Sequence, residues 1–233
     1  MADGVTLKAV LAGKAVPFGR PGMASAIDKH PLDGAVEVGE TGLAGDQQGD
    51  LRFHGGPDKA VHHYPFDHYA AWRHDLPEAA ARLSEPGGFG ENLSTVGLTE
   101  ETVCVGDLYR VGTALLQVSQ ARQPCWKLNH RFGVKDMARR VQTTGRTGWY
   151  CRVVEPGVIA AGDRVVLADR PLPDWPLARI LHALYVDTQD ARTLEGIAGL
   201  EPLARGWRDL ARRRLDSGRV EDWTARLGEQ ASR

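Results

Sequence analysis

Between residues 5 and 166 the chain is cut by Gly, Pro, Asp and Asn into short apolar runs, and this punctuation restricts the fold more than any other feature. The runs include "VTLKAVLAG", "AVEVG", "TVCVGDLYRVG", "ALLQVSQ" and "GWYCRVVEPG", and the last four set strand-favouring Val, Tyr or Trp beside turn residues. Strands this dense, with no regular helix between successive ones, predict an antiparallel barrel or sandwich rather than a parallel sheet. Two helical insertions interrupt the pattern. One is "PFDHYAAWRHDLPEAAARL", where Tyr69, Trp72 and Leu76 recur at helical spacing after Pro65, and the other lies near "VKDMARRVQ".

The texture changes after "ADRPLPDWP". Pro171, Pro173 and Pro176 are followed by "LARILHALY", "ARTLEGIAGL" and "RGWRDLARRRL", which read as short amphipathic helices. A boundary near residue 170 is expected, with a main domain over residues 1–170 and a small helical domain over 171–233. A chain of 233 residues that is 42% hydrophobic has enough apolar surface for a domain and an appendage of these sizes.

Charge narrows the partners. The 29 Lys and Arg against 30 Asp and Glu leave a net charge of -1, so no global field draws the protein to nucleic acid or to an anionic membrane. Any anion binding must be local. The opening residues lack the unbroken apolar centre of a signal peptide, and no run of apolar residues is long enough to span a bilayer, so a cytoplasmic location without a membrane partner is expected.

Three cysteines, Cys104, Cys125 and Cys151, cannot all pair, and none belongs to a C-x-x-C metal motif. Cys104 and Cys151 sit within strand-like apolar runs and read as inert buried thiols. Cys125 differs, because it follows Pro124 in "SQARQPCWKL" with Arg122 and Lys127 close by. Those cations favour the thiolate, which is the form that attacks or binds a soft metal. A structural cysteine at the end of a strand is the other reading of the same residues.

Two further segments carry candidate chemistry. "GLAGDQQGDLRFHGGPDKAVHHYP" is rich in Gly, with Asp46, His54, Lys59, His62 and His63, and can be an anion-binding nest or a plain turn between strands. His62 and His63 are adjacent and should face opposite sides of a strand, which fits no common zinc pattern. "GGFGENLSTVGLTEETVCVGD" brings Glu91 and Asn92 out of a Gly-rich turn, where an asparagine can bind a ligand or cap the turn.

Taken in order and spacing, "GLAGDQQGDLRFHGGPDKAVHHYP", "FGENLSTVGLTEETVCVGDLYRVG" and "LLQVSQARQPCWKL" resemble the MOSC domain, named after the C-terminal domain of molybdenum cofactor sulfurase. The resemblance is to its bacterial branch of 6-N-hydroxylaminopurine resistance proteins, covers most of residues 5–170, and extends to that branch's C-terminal triple-helix domain. It implies a mainly β fold, an antiparallel β-barrel with helical insertions followed by three helices, that binds molybdenum cofactor. The family's P-C cysteine, the protein ligand to molybdenum, falls on Cys125, and its cofactor-pocket asparagine falls on Asn92. Charge and proximity in the motifs add Lys59, Arg122, Lys127 and His54 as cofactor-binding candidates, and Asp46 joins Cys125 as a catalytic candidate, to be read as a proton donor or as a structural acid. Two positions depart from the common pattern: Ala121 stands where proline is usual, and Gln47 where many relatives carry Arg or His.

The implied activity is molybdenum-dependent reduction of a small N-hydroxylated substrate such as 6-N-hydroxylaminopurine. Without cluster cysteines or a G-x-G-x-x-G dinucleotide fingerprint, the chain needs electrons from a separate flavoprotein reductase or ferredoxin-like donor. The alternative is a carrier of molybdenum cofactor or persulfide sulfur with no reductase activity of its own. A nucleic-acid role for the tail has little behind it, since residues 201–226 hold seven Arg against five Asp and Glu. The tail is expected to pack on the barrel or on a second copy of the chain in a homodimer.

Overall fold

The computed structural model describes residues 4–49 and 55–228. Seven strands close a barrel: β1 (Val5–Ala12), β2 (Val61–Pro65), β3 (Leu93–Thr95), β4 (Leu108–Val111), β5 (Ala114–Ala121), β6 (Trp149–Glu155) and β7 (Arg164–Asp169). The order around the ring is β7-β4-β5-β6-β2-β3-β1, and β1 returns to β7 with Val5 opposite Val165. Every neighbouring pair is antiparallel except β2 and β3, where His63 lies beside Leu93 in a parallel ladder. Parallel strands need a long crossover. The helical insertion supplies it, as α1 (Asp67–Asp75) followed by a 3-10 turn over Pro77–Leu83. The break between them falls at Pro77, which cannot continue the hydrogen-bond ladder of α1.

The run "TVCVGD" is not the strand its valines predict. It folds into a turn because the buried carboxylate of Asp107 accepts the Cys104 N–H at 2.9 Å and pairs with Arg170 at 2.7 Å. Side-chain capping of this kind competes with strand pairing for the same backbone donors.

Two hydrophobic clusters flank the barrel wall. His63, Leu116, Trp149, Cys151 and Val165 face one another inside the ring. On the outside of β2, Tyr64 stacks on Phe89 at 4.0 Å, and Trp72 of α1 donates its indole N–H to the Tyr64 hydroxyl at 2.7 Å. Two helices after β5, α2 (Lys127–Phe132) and α3 (Met137–Thr144), complete this outer cluster with Leu128, Phe132, Met137 and Val141.

Beyond β7 the chain forms α4 (Leu177–Tyr185), α5 (Ala191–Gly199), α6 (Arg205–Ser217) and a last short turn, α7 (Thr224–Leu227). Asp190 caps α5 by accepting the Arg192 N–H at 3.1 Å, as an N-cap aspartate does. Leu181, Leu184, Trp207 and Leu210 are buried and Trp175 is half-buried against them. These residues share one apolar cluster with the barrel, and the Ala204 N–H reaches the Ser119 carbonyl of β5 at 2.8 Å. Among the described residues, no helix is long and apolar enough to cross a membrane.

Candidate functional site

A cavity opens where the ends of β2, β5 and β6 meet the N-terminal loops. Its wall brings together Asp46, Lys59, Asn92, Arg122, Cys125 and Lys127, six of the residues singled out in the sequence from three separate segments. Lys29, His62 and Tyr150 join them without having been foreseen in that role. His54 lies outside the described residues.

The backbone of this wall is built by polar clamps. Glu91 is fully buried, and its carboxylate accepts the N–H groups of Gly87 at 2.7 Å and Phe89 at 3.0 Å together with the Tyr69 hydroxyl. That holds Gly90 at a φ of 75°, where an added Cβ would meet Ile27 Cγ1 at 2.7 Å. Only glycine fits there. Asn92 then ties three segments: its Oδ1 accepts the His62 N–H at 3.0 Å, and its Nδ2 donates to the Leu11 carbonyl at 3.1 Å and to Asp46 Oδ2 at 2.8 Å. Asp46 also accepts the Gly13 N–H at 2.8 Å and pairs with Lys29. The side chains of Asn92 and Asp46 are therefore committed to the protein as well as exposed to the cavity. Gln47, at a position where charge was looked for, accepts the Ala15 N–H at 2.9 Å on the loop surface.

Electrostatics favour an anionic guest. Lys29, Lys59, Arg122 and Lys127 line the cavity against one carboxylate, Asp46. Burial pushes the Lys29 ammonium below its usual range, opposed by Asp46, and burial does the same to Lys59, opposed by Cys125 and Asp58. Lys59 and Cys125 line the same wall. Lys127 is buried and donates to the Ala24 carbonyl at 2.9 Å.

Cys125 sits in the loop between β5 and α2, half-buried, with its carbonyl accepting the Leu128 N–H at 2.9 Å. The other thiols are sealed away. Cys104 is 2% exposed, and Cys151, inside the barrel, is pushed up to about 12 by burial.

Two buried polar atoms in the wall have no protein partner, Arg122 Nη1 and His62 Nε2. Burial and the Arg122 charge hold His62 well below its ordinary value, so the ring is neutral. Its Nδ1 lies 3.2 Å from the Gly90 carbonyl and so carries the proton, leaving Nε2 as an acceptor. An unpaired buried donor and acceptor, on two residues that line one cavity, cost free energy unless a polar group answers them. The donor set suits a soft metal with an anionic organic carrier: one thiol, several cations, and two open hydrogen-bonding groups.

The chain matches the MOSC domain over residues 50–166 and the YiiM-like, 3-alpha helix domain over residues 175–218. Protein YiiM of Escherichia coli (strain K12) is 43% identical over 217 residues, which is 92% of this chain and 93% of that one. A protein of Gibberella moniliformis (strain M3125 / FGSC 7600) named "Reductase" is 39% identical over 194 residues, covering 83% of this chain and 34% of that longer protein. The crystal structure of YiiM from Escherichia coli superposes with a TM-score of 0.79 at 34% identity, over 95% of this chain and 98% of that one.

Proposed function

Because the chain belongs to the MOSC domain family and carries the YiiM-like helical domain after it, we propose that its cavity binds molybdenum cofactor and that the protein reduces N-hydroxylated compounds. A substrate such as 6-N-hydroxylaminopurine would be converted to its amine and water with two electrons and two protons. The observation that carries this reading is Cys125, the cavity's thiol among the described residues, set beside Lys59 in a cationic wall. When bound, the cofactor supplies the two-electron chemistry at a metal that takes oxygen from the N–OH group.

The chain's own residues hold, neutralise and protonate. The Cys125 sulfur would hold the metal, on a wall that Lys59 also lines. Arg122, with its Nη1 unpartnered, would supply positive charge and a hydrogen-bond donor to an anionic group of the cofactor. Lys127 adds charge on the same wall, and His62 would supply a neutral acceptor at Nε2. For the proton, the Lys29–Asp46 pair is suited: burial lowers the Lys29 value, so its ammonium yields a proton more readily than one in water. Asn92 keeps Asp46 and His62 in register, so its part is positional.

Electrons come from a separate flavoprotein or ferredoxin-like donor, since Cys104 and Cys151 lie buried away from the cavity. The "Reductase" relative agrees with this class of reaction. Protein expressed with molybdate should contain molybdenum and reduce 6-N-hydroxylaminopurine with a chemical donor, and Cys125→Ala should lose both properties. Full molybdenum content and full turnover in Cys125→Ala contradict the reading. Transfer of cofactor to an apo-enzyme without any reduction would support the carrier instead.

A further inference from the structure

The two peptide groups that flank Cys125 are both held by one residue from the far end of the chain. Arg226 donates from Nη1 to the Pro124 carbonyl at 2.6 Å, and its own carbonyl accepts the Trp126 N–H at 2.8 Å. Fixing the planes on either side of a Cα fixes its φ and ψ, and hence the direction of its side chain. The neighbours of Arg226 extend the grip. The Leu227 carbonyl accepts Asn129 Nδ2 at 2.7 Å, and Gly228, at a φ of 76°, comes so near that a Cβ there would meet Trp126 Cβ at 2.6 Å. Arg226 Nη2 also donates to Gln142 Oε1 of α3 at 2.6 Å.

This return segment is anchored on the helices. Arg214 of α6, 2% exposed, forms a two-pronged pair with Glu221 at 3.0 and 2.8 Å and donates to the Leu184 carbonyl at 2.9 Å. Trp223 meets Tyr185 of α4 edge-on at 5.6 Å. Cys125 is thus connected through Arg226 and Glu221 to the buried centre of the helical tail.

We infer that residues 219–228 act as a clip that sets the backbone of Cys125, with Arg226 as a positioning residue that directs the thiol into the cavity. The purpose of the clip rests on Cys125 being the working thiol, as proposed above, but its test reads the sulfur alone. In the full-length protein purified without molybdate, iodoacetamide alkylation of Cys125 at pH 7.5, followed by peptide mass over time, gives a reactivity profile for this sulfur, while buried Cys104 and Cys151 stay silent. Arg226→Ala should shift the rate of that profile by about threefold or more, as the sulfur loses its fixed direction. Arg226→Lys, which keeps a donor for Pro124, should recover part of the shift. Should Arg226→Ala not fold, Gly228→Ala gives the same reading, because its methyl forces the segment off Trp126 and leaves every polar partner in place. A wild-type profile in either folded variant overturns the inference. Wild-type protein that never binds molybdenum would defeat the cofactor reading and leave this profile untouched.

Discussion

Arg122 holds a charge out of water with one nitrogen unmet, an arrangement that costs the protein stability unless a ligand answers it. Replacing it by methionine, of similar length and apolar, should therefore leave the thermal midpoint of the molybdenum-free protein equal or raise it, at roughly 2–4 °C per kcal/mol for a chain of this size. The same Arg122→Met protein should retain at least about tenfold less molybdenum, equivalent to about 1.4 kcal/mol. Thermal unfolding and elemental analysis on one preparation check both halves. The sequence made Arg122 and Cys125 legible, because a cation and a thiol around one proline already define a local chemistry. It could not do so for Lys29, which belongs to no motif and gains its place only through Asp46, seventeen positions on. Nor could it tell that the amide of Asn92 spans Leu11, Asp46 and His62, since those bonds exist only after three segments meet.

At the scale of the element, β2 is the informative case. All five of its residues are buried, because the barrel interior covers one face and α1 covers the other. Two adjacent histidines inside such a strand were visible as facing opposite ways, but a doubly covered strand gives no alternation of polar and apolar residues to mark it. His63 stacks on Trp149 at 4.3 Å, and burial lowers it to about 3, while burial and then the Arg122 charge hold His62 well below its ordinary value. The unfolded chain binds protons at both rings below about pH 6.5 that the folded barrel refuses, so stability is present above that pH and falls as the pH drops. Each ring contributes a slope of about 1.4 kcal/mol per pH unit. His63→Gln should remove one ring's share of the slope between pH 6 and 5, read from urea unfolding at several pH values against the wild type. Equal slopes in the two proteins would mean that His63 titrates in the folded state.

For the whole molecule, the texture change at Pro171 announced the helices correctly, and "LARILHALY", "ARTLEGIAGL" and "RGWRDLARRRL" became α4, α5 and α6. What periodicity could not reveal is where those apolar faces go. Leu184 and Trp207 join a cluster that continues into the barrel, and the last turn reaches back to the Cys125 loop. A shared core predicts one cooperative unfolding transition for barrel and tail rather than two. Leu184→Ala, at a fully buried position, should lower stability by about 2–5 kcal/mol while keeping a single transition, as followed by circular dichroism and tryptophan fluorescence together. Two separated transitions would show that the helices fold apart from the barrel.

The claim on which the rest depends is a bond between the Cys125 sulfur and molybdenum. X-ray absorption at the molybdenum edge tests it most directly, on wild-type protein and on Cys125→Ser, both expressed with molybdate and loaded with cofactor. The account predicts one fewer sulfur neighbour in the variant, together with weaker retention of the metal. An unchanged sulfur shell in Cys125→Ser would contradict it.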